Sequence, residues 1–350
     1  MKLFFYITAF FVFLNAYNAE AQIVKYANDY LSTAVFSRGV SMGGADFMLF
    51  SGSQSVFNNP SGLAFEDYKM DFSLMHSDYF SSLASLQLFS AAFRADTSTF
   101  LGFGAVRFAV DDIQNTIYLF DNGNMDYSRI SYFSVADYAF FFDVSRKLKF
   151  FPEISLGASM KLIYRHQGKF ADAYGFGFDI GATYSHKKFS ASMVLKDVTT
   201  TFDFWSVNKN EFDSVYLSTG NSVPENSLEI TPVTLDLGAS YYWNLYSFKF
   251  LCAFAVKTFF DSDTYYLIHS KHFSADLRLG SQISYSDMIF LRFGFSDFQK
   301  NNNLIISKKF SMRPSFGLGV KFFRFGFDYT FFSDNSIERN SNIFTLNVKF

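Results

Sequence analysis

The side chains able to do covalent or acid–base chemistry in this sequence are few and far apart. Its five histidines stand at His76, His166, His186, His269 and His272, and only the last two are close together. A His-x-x-His pair binds metal when carboxylates or thiolates complete the set. No such support surrounds this one, and it reads equally as a polar loop feature. Serine, histidine and acid residues show no triad order. The single cysteine, Cys252, lies in an apolar alternating stretch, where it suits a small wall residue and excludes an internal disulfide. The Gly-x-Gly pairs fall inside strand-like segments rather than between a strand and a helix, so they are not phosphate loops. The expectation is a protein that is not an enzyme and takes no cofactor or metal.

What must position any functional residue is a set of elements rich in aromatic surface, with 51 Phe and 21 Tyr against two Trp and five Pro. Aromatic residues favour strands and membrane interfaces. A net charge of -2 and a pI near 6.2 argue against nucleic acid as a partner. Lys2, the apolar run Leu3 to Leu14 and the small-residue site Ala19-Glu20-Ala21 predict a signal peptide over residues 1–21. The run is too short for a helical span, which needs about 20 residues. With no other long apolar stretch, spanning a membrane requires strands closed into a barrel.

Period-two alternation in segments of about ten residues supplies them. Tyr174, Phe176, Phe178, Ile180, Ala182 and Tyr184 alternate with Gly175, Gly177, Asp179, Gly181, Thr183 and Ser185. Similar alternation predicts fourteen strands at 69–76, 83–94, 99–110, 129–143, 153–165, 174–185, 188–197, 231–242, 246–258, 273–285, 287–297, 313–321, 323–332 and 341–350. Arg107 breaks the third by following Leu101, Phe103 and Ala105 on the apolar face, which requires a bulge or an interfacial position. Short links alternate with longer ones, as periplasmic turns alternate with external loops. The chain stops on an apolar-face residue, Phe350, on a final amphipathic strand resembling the sorting signal of outer-membrane barrels. Inward positions carry both signs, at Lys161, Arg165, Asp179, Asp236, Asp276, Arg278, Arg292, Arg324 and Asp328. They form either a charged pathway or ion pairs filling a polar lumen. The predicted fold is all-β: a transmembrane antiparallel β-barrel of about 14 strands over residues 67–350, preceded by a plug segment over residues 22–66.

That plug lacks alternation and carries two clusters, Arg38-Gly39-Val40-Ser41-Met42-Gly43-Gly44-Ala45 and Asn58-Asn59-Pro60-Ser61-Gly62-Leu63-Ala64. Glycines permit close approach and positive φ, and Pro60 holds Asn59 extended. The clusters resemble those of the PorV/PorQ family of Bacteroidetes outer-membrane proteins, relatives of the FadL-type transporters. Matching positions are Arg38, Met42, Gly43, Gly44, Ala45, Asn59, Pro60, Gly62, Leu63 and Ala64. Gly39 and Ser61 depart from it, each standing where the pattern has alanine. The resemblance implies a fourteen-stranded outer-membrane barrel with its N-terminal segment in the lumen. It also implies a role in type IX protein secretion, binding translocon partners and the C-terminal signal domains of cargo. A surface for such partners is offered by the 198–230 segment, with Phe202, Phe204, Trp205, Phe212 and Tyr216; these residues would otherwise extend the strands or fold over the mouth. The alternative is a FadL-like transporter of small hydrophobic molecules with a pocket among Phe36, Met42, Phe47, Met48, Leu49 and Phe50.

Overall fold

The computed structural model describes residues 24–25, 27–33, 35–49, 52–65, 67–79, 83–121, 124–211, 225–260, 266–300, 310–334 and 339–350. The candidate signal peptide, Phe50, Phe212 and Tyr216 lie outside the described residues.

Fourteen antiparallel strands form one closed barrel. They are β1 (Met70–Tyr79), β2 (Ala84–Arg94), β3 (Thr99–Asn115), β4 (Ser131–Lys147), β5 (Ile154–Gln167), β6 (Ala171–His186), β7 (Phe189–Lys196, resuming at Thr201–Val207), β8 (Leu228–Thr231, resuming at Thr234–Leu245), β9 (Phe248–Phe259), β10 (Ser274–Tyr285), β11 (Ile289–Lys300), β12 (Phe310–Phe322), β13 (Phe325–Asp334) and β14 (Arg339–Lys349). Pairing of β14 with β1, from Asp71 opposite Lys349 to Asp78 opposite Asn342, closes the circle and leaves no edge in lipid. Tracing directly opposed residues around the barrel from Asp78 reaches β6 at Asp172 in one direction and at His186 in the other, fourteen residues apart. A shear equal to the strand number sets a tilt of about 35° from the strand rise and spacing.

The alternation seen in the sequence is the inside–outside alternation of the wall. Phe176, Phe178 and Ile180 are exposed on the exterior, while Asp179 and Thr183 are buried inside. Leu74, Phe140, Phe142, Phe254, Phe293, Phe327 and Phe344 continue a large apolar exterior band, a surface that only lipid or protein can cover favourably. Several strands run beyond their sequence-predicted ends. Tyr132 and Phe133 pair with Gln114 and Ile113 above a bulge at Val110–Ile113, and the 166–173 segment narrows to a turn at Gly168, φ +57°.

One end carries tight turns. At 95–98, Asp96 Oδ1 accepts from the Ser98 amide (2.7 Å), the Ser98 hydroxyl (3.0 Å) and the Thr99 amide (2.8 Å). These bonds, the Ser98 amide foremost, hold the carboxyl down to about 2. A depressed carboxyl stabilises above its unfolded value and loses that contribution as pH falls through the folded one. The Asp96 carboxyl carbon is therefore expected to titrate at about 2 in an NMR pH series, below the usual aspartate value.

Candidate functional site: the hatch and the inner wall

The described residues between 27 and 65 pack into the lumen, with two short helices, α1 (Asp29–Ser32) and α2 (Ser37–Ser41), and two 3₁₀ turns, Gly52–Phe57 and Pro60–Phe65. This hatch meets the wall at several places, Asn28 bonding Thr231 among them, and at two of the others small wall residues make room.

The first cluster wedges against β10, β11 and β12. Gly43 and Gly44 have φ of +65° and +75°, and a Cβ on Gly43 would lie 2.7 Å from the Phe295 carbonyl oxygen. The wall is dented to match: side chains on Gly280 or Gly294 would strike Met42 and Gly43. Met42 is fully buried there. Behind the wedge, the Ser37 hydroxyl bonds Thr330 Oγ1 at 2.7 Å, and the Ser37 amide donates to Thr345 Oγ1 at 3.2 Å.

The second cluster docks on β4, β5 and β6 through Asn59, which is fully buried. Its Nδ2 donates to the Phe47 carbonyl (2.8 Å) and to Thr183 Oγ1 (2.9 Å), and its Oδ1 accepts from the Ser61 amide (3.1 Å) and hydroxyl (2.5 Å). The Ser61 carbonyl in turn accepts from Ser145 Oγ (3.0 Å) and Ser155 Oγ (2.8 Å). Gly157 leaves the space that Pro60 and Ser61 fill, with Ser61 Cα 2.6 Å from where its Cβ would stand. Gly62 packs over Ser55. Asn59→Leu would orphan several buried partners at about 1–3 kcal/mol each. Proteolysis and amide exchange across residues 58–64 are expected to accelerate at least tenfold while the barrel stays folded.

Both departures from the resembled pattern have a local reason. Ser61 supplies a hydroxyl to the Asn59–Thr183 network. At Gly39, a Cβ would strike Val35 Cγ1 and stand 2.7 Å from Asp46 Oδ2, so alanine would require both side chains to shift.

The third contact was not apparent in the sequence. Asp71, on the inner face of β1, accepts from the Ser53 amide and hydroxyl, each at 3.1 Å, and from Asn347 Nδ2 at 2.6 Å. It ties the first 3₁₀ turn to the strand pair that closes the barrel. The polar alternation Asp71, Ser73, Ser77 was its only trace in the sequence.

The lumen is two-sided rather than uniformly polar. Met75, Tyr79, Leu86, Leu88, Val106, Phe141 and Ile343 make one half of the inner wall apolar, and Phe36, Val56, Phe57 and Leu63 of the hatch pack on it. Ion pairs line much of the rest, and one of them, Asp71–Lys349, lies on the apolar side itself. Lys161 Nζ lies 2.8 Å from Asp179 and 2.5 Å from Asp197, Arg292 lies 2.5 Å from Asp328, Arg278 lies 2.8 Å from Asp276, and Lys196 lies 3.9 Å from Asp236. Arg165 holds Asp137 at 2.9 Å and Glu229 at 3.2 Å, and stacks over Trp205. Arg324 is the exception among the charges expected inside. It lies in the exposed 323–324 turn with its guanidinium over Phe323 and Phe350, because Phe323 turns the chain with φ +55°. A cavity of about 270 Å³ lies between α1 and the wall, bordered by charged Lys161, Asp179 and Lys257 and by aromatic Phe57, Phe141 and Phe259.

The aromatic residues expected in one external loop divide. Residues 201–207 and 228–231 are strand, because Phe202 pairs with Phe176 and Ile230. Phe204 is exposed on the exterior, whereas Trp205 is buried inside beneath Arg165. Among the described residues, no group of three or more His, Cys, Asp or Glu side chains is arranged to hold a metal.

No protein-family model matches the chain. No curated protein matches it in sequence. Its fold does match solved outer-membrane barrels. The CymD monoaromatic hydrocarbon channel superposes with a TM-score of 0.59 at 15% identity, covering 90% of this chain and 97% of that one. The P. putida toluene transporter TodX gives 0.57 at 13%, covering 90% and 98%. A Pseudomonas aeruginosa FadL homologue gives 0.51 at 11%, covering 90% and 98%.

Proposed function

We propose that this chain, a barrel with the FadL-like outer-membrane fold, is a conduit that passes small hydrophobic molecules across the outer membrane, along the seam between its hatch and the apolar half of its inner wall. The observation that carries this reading is the two-sidedness of the lumen. Ion pairs pin one side of the wall, while the seam between Phe36, Phe57 and Leu63 of the hatch and Leu86, Leu88 and Val106 of the wall holds mainly non-directional contacts. Such a seam can part for an apolar solute without stranding a charge. The similar barrels named as hydrocarbon channels support it. The test is uptake of a labelled monoaromatic hydrocarbon and of a labelled fatty acid by cells expressing the chain. Faster entry than in cells carrying the empty vector supports the conduit, and equal entry of both probes rules it out.

A second reading is a component of type IX secretion that binds translocon proteins or cargo signal domains at the cell surface. Two observations support it: the hatch clusters resemble those of the PorV/PorQ family, and the hatch side chains Phe36, Met42, Met48 and Leu63 are at most 1% exposed. Affinity purification from native outer membranes separates the two. Recovery of translocon or cargo proteins favours secretion, and co-purified lipid or hydrocarbon without them favours the conduit.

A further inference from the structure

The exterior of β1–β4 departs from the rest of the lipid-facing band. Directly opposed outward residues run Phe344, His76, Gln87, Arg107, Tyr138 across β14, β1, β2, β3 and β4. One step toward the tight-turn end, the parallel row reads Leu346, Leu74, Phe89, Ala105, Phe140. The upper row is polar at its centre and the lower one is wholly apolar. Ala105, small between Phe89 and Phe140, leaves a groove of about 530 Å³ in the outer wall that runs up to His76, Gln87 and Arg107. That volume lies in the range of ligand clefts, roughly 300–1,000 Å³.

Arg107 is the residue that the sequence pattern could not accommodate. No bulge turns it inward: β3 pairs regularly from Thr99 to Val110. At about 2.7 Å of axial rise per residue for this tilt, eight residues from Thr99 place it about 22 Å above the tight-turn end, near the upper edge of an apolar band about 25 Å tall. Tight turns mark the periplasmic end, so Arg107 faces the outer leaflet. One of its five donors goes to Gln87 Oε1 at 3.0 Å, and Asp111 approaches only to 3.9 Å. His76 sits 3.4 Å from Asp78.

We propose that this groove is a binding site for one phosphate-bearing lipid of the outer leaflet, with an acyl chain lying over Ala105 and the phosphate held by Arg107 with Gln87 and His76 beside it. Charge complementarity selects the occupant. A lipid-facing guanidinium is stabilised by an anion at headgroup depth, and its fork matches phosphate oxygens. The neighbouring apolar row solvates the chain. This site is outside the barrel and independent of what passes through the lumen.

The test is native mass spectrometry of the detergent-purified full chain titrated with diphosphoryl lipid A and with the same lipid stripped of phosphate. One phosphorylated lipid should bind about tenfold more tightly than its phosphate-free form. Arg107→Gln should erase that preference. Ala105→Trp, which fills the groove from outside, should lower the affinity for both forms. Asp111 competes for Arg107, so Asp111→Asn should tighten binding of the phosphorylated form. Equal binding of the two lipids by the unaltered chain overturns the proposal, and that comparison requires no variant to fold. Retention of the preference in Arg107→Gln overturns it as well.

Discussion

Gly157→Val and Gly294→Val are each expected to lift one end of the hatch off the wall and turn a closed barrel into a conducting one. Both glycines face inward, where Pro60–Ser61 and Met42–Gly43 fill the space their side chains would take. Because the obstruction at each is hatch backbone, no rotamer change relieves it, and an overpacked contact costs about 1–3 kcal/mol or more. The rest of the cost follows from displacement. Moving Pro60–Ser61 breaks the bonds from Ser145 and Ser155 to the Ser61 carbonyl and strains the Asn59–Thr183 pair. The exterior faces and strand ladders are untouched, so the barrel should still migrate as a folded, heat-modifiable species. In planar bilayers each variant should show ion conductance well above that of the unaltered chain, and the double variant more than either. Gly326→Val is the control, since its nearest neighbour is the side chain of Asn347 at 3.6 Å rather than the hatch. Unaltered conductance in both single variants would mean that the hatch does not seal the lumen.

These sockets show what the sequence could and could not convey. The barrel was legible because lipid outside and small or polar groups inside impose opposite requirements on successive residues. Tyr174 to Ser185 displays that rule without interruption. The two hatch clusters were legible as places needing glycine and proline, but their partners were not. Gly157, Gly280 and Gly294 look in sequence like any small inward residue, and only the register brings them under Ser61, Met42 and Gly43. The two-sided lumen was missed for a related reason. Charged residues dominate a reading of inward positions, while Leu86, Leu88 and Val106 alternate with outward Ser85, Gln87 and Arg107. There the local contrast runs opposite to the rule that holds along Tyr174 to Ser185. Arg107 was the opposite case: the alternation placed it on the lipid side from the start, and the ladder keeps it there. For Trp205 the sequence allows either a partner-contact loop or an extension of the strands, because the interruption at 197–200 hides the resumption of β7 beyond it.

That interruption is held by Lys161, and Lys161→Met is expected to be among the most destabilising single changes in the wall. β7 leaves its ladder with β6 after Leu195 and rejoins it at Phe202, with Asp197 and Thr200 at φ of +56° and +61°. The detour is fastened by Asp197: its amide donates to Asp179 Oδ1 at 2.7 Å, and its carboxylate accepts from Thr201 Oγ1 at 2.5 Å and from Lys161 Nζ. The Lys161 side chain is only 4% exposed, and the two carboxylates 6% and 11%. Removing one partner of a buried ion pair leaves uncompensated charge and costs about 3–5 kcal/mol. Here two carboxylates would be left. Melting in detergent should therefore fall by many degrees, and amide exchange should quicken first across residues 196–202. Replacing all three groups, as Lys161→Met with Asp179→Asn and Asp197→Asn, should recover more than half of the loss, because the neutral amides keep the hydrogen bonds and no bare charge remains. If Lys161→Met instead melts with the unaltered chain, the carboxylates must be hydrated from the neighbouring cavity, and β7 keeps its detour through backbone geometry and the Asp197 amide bond alone.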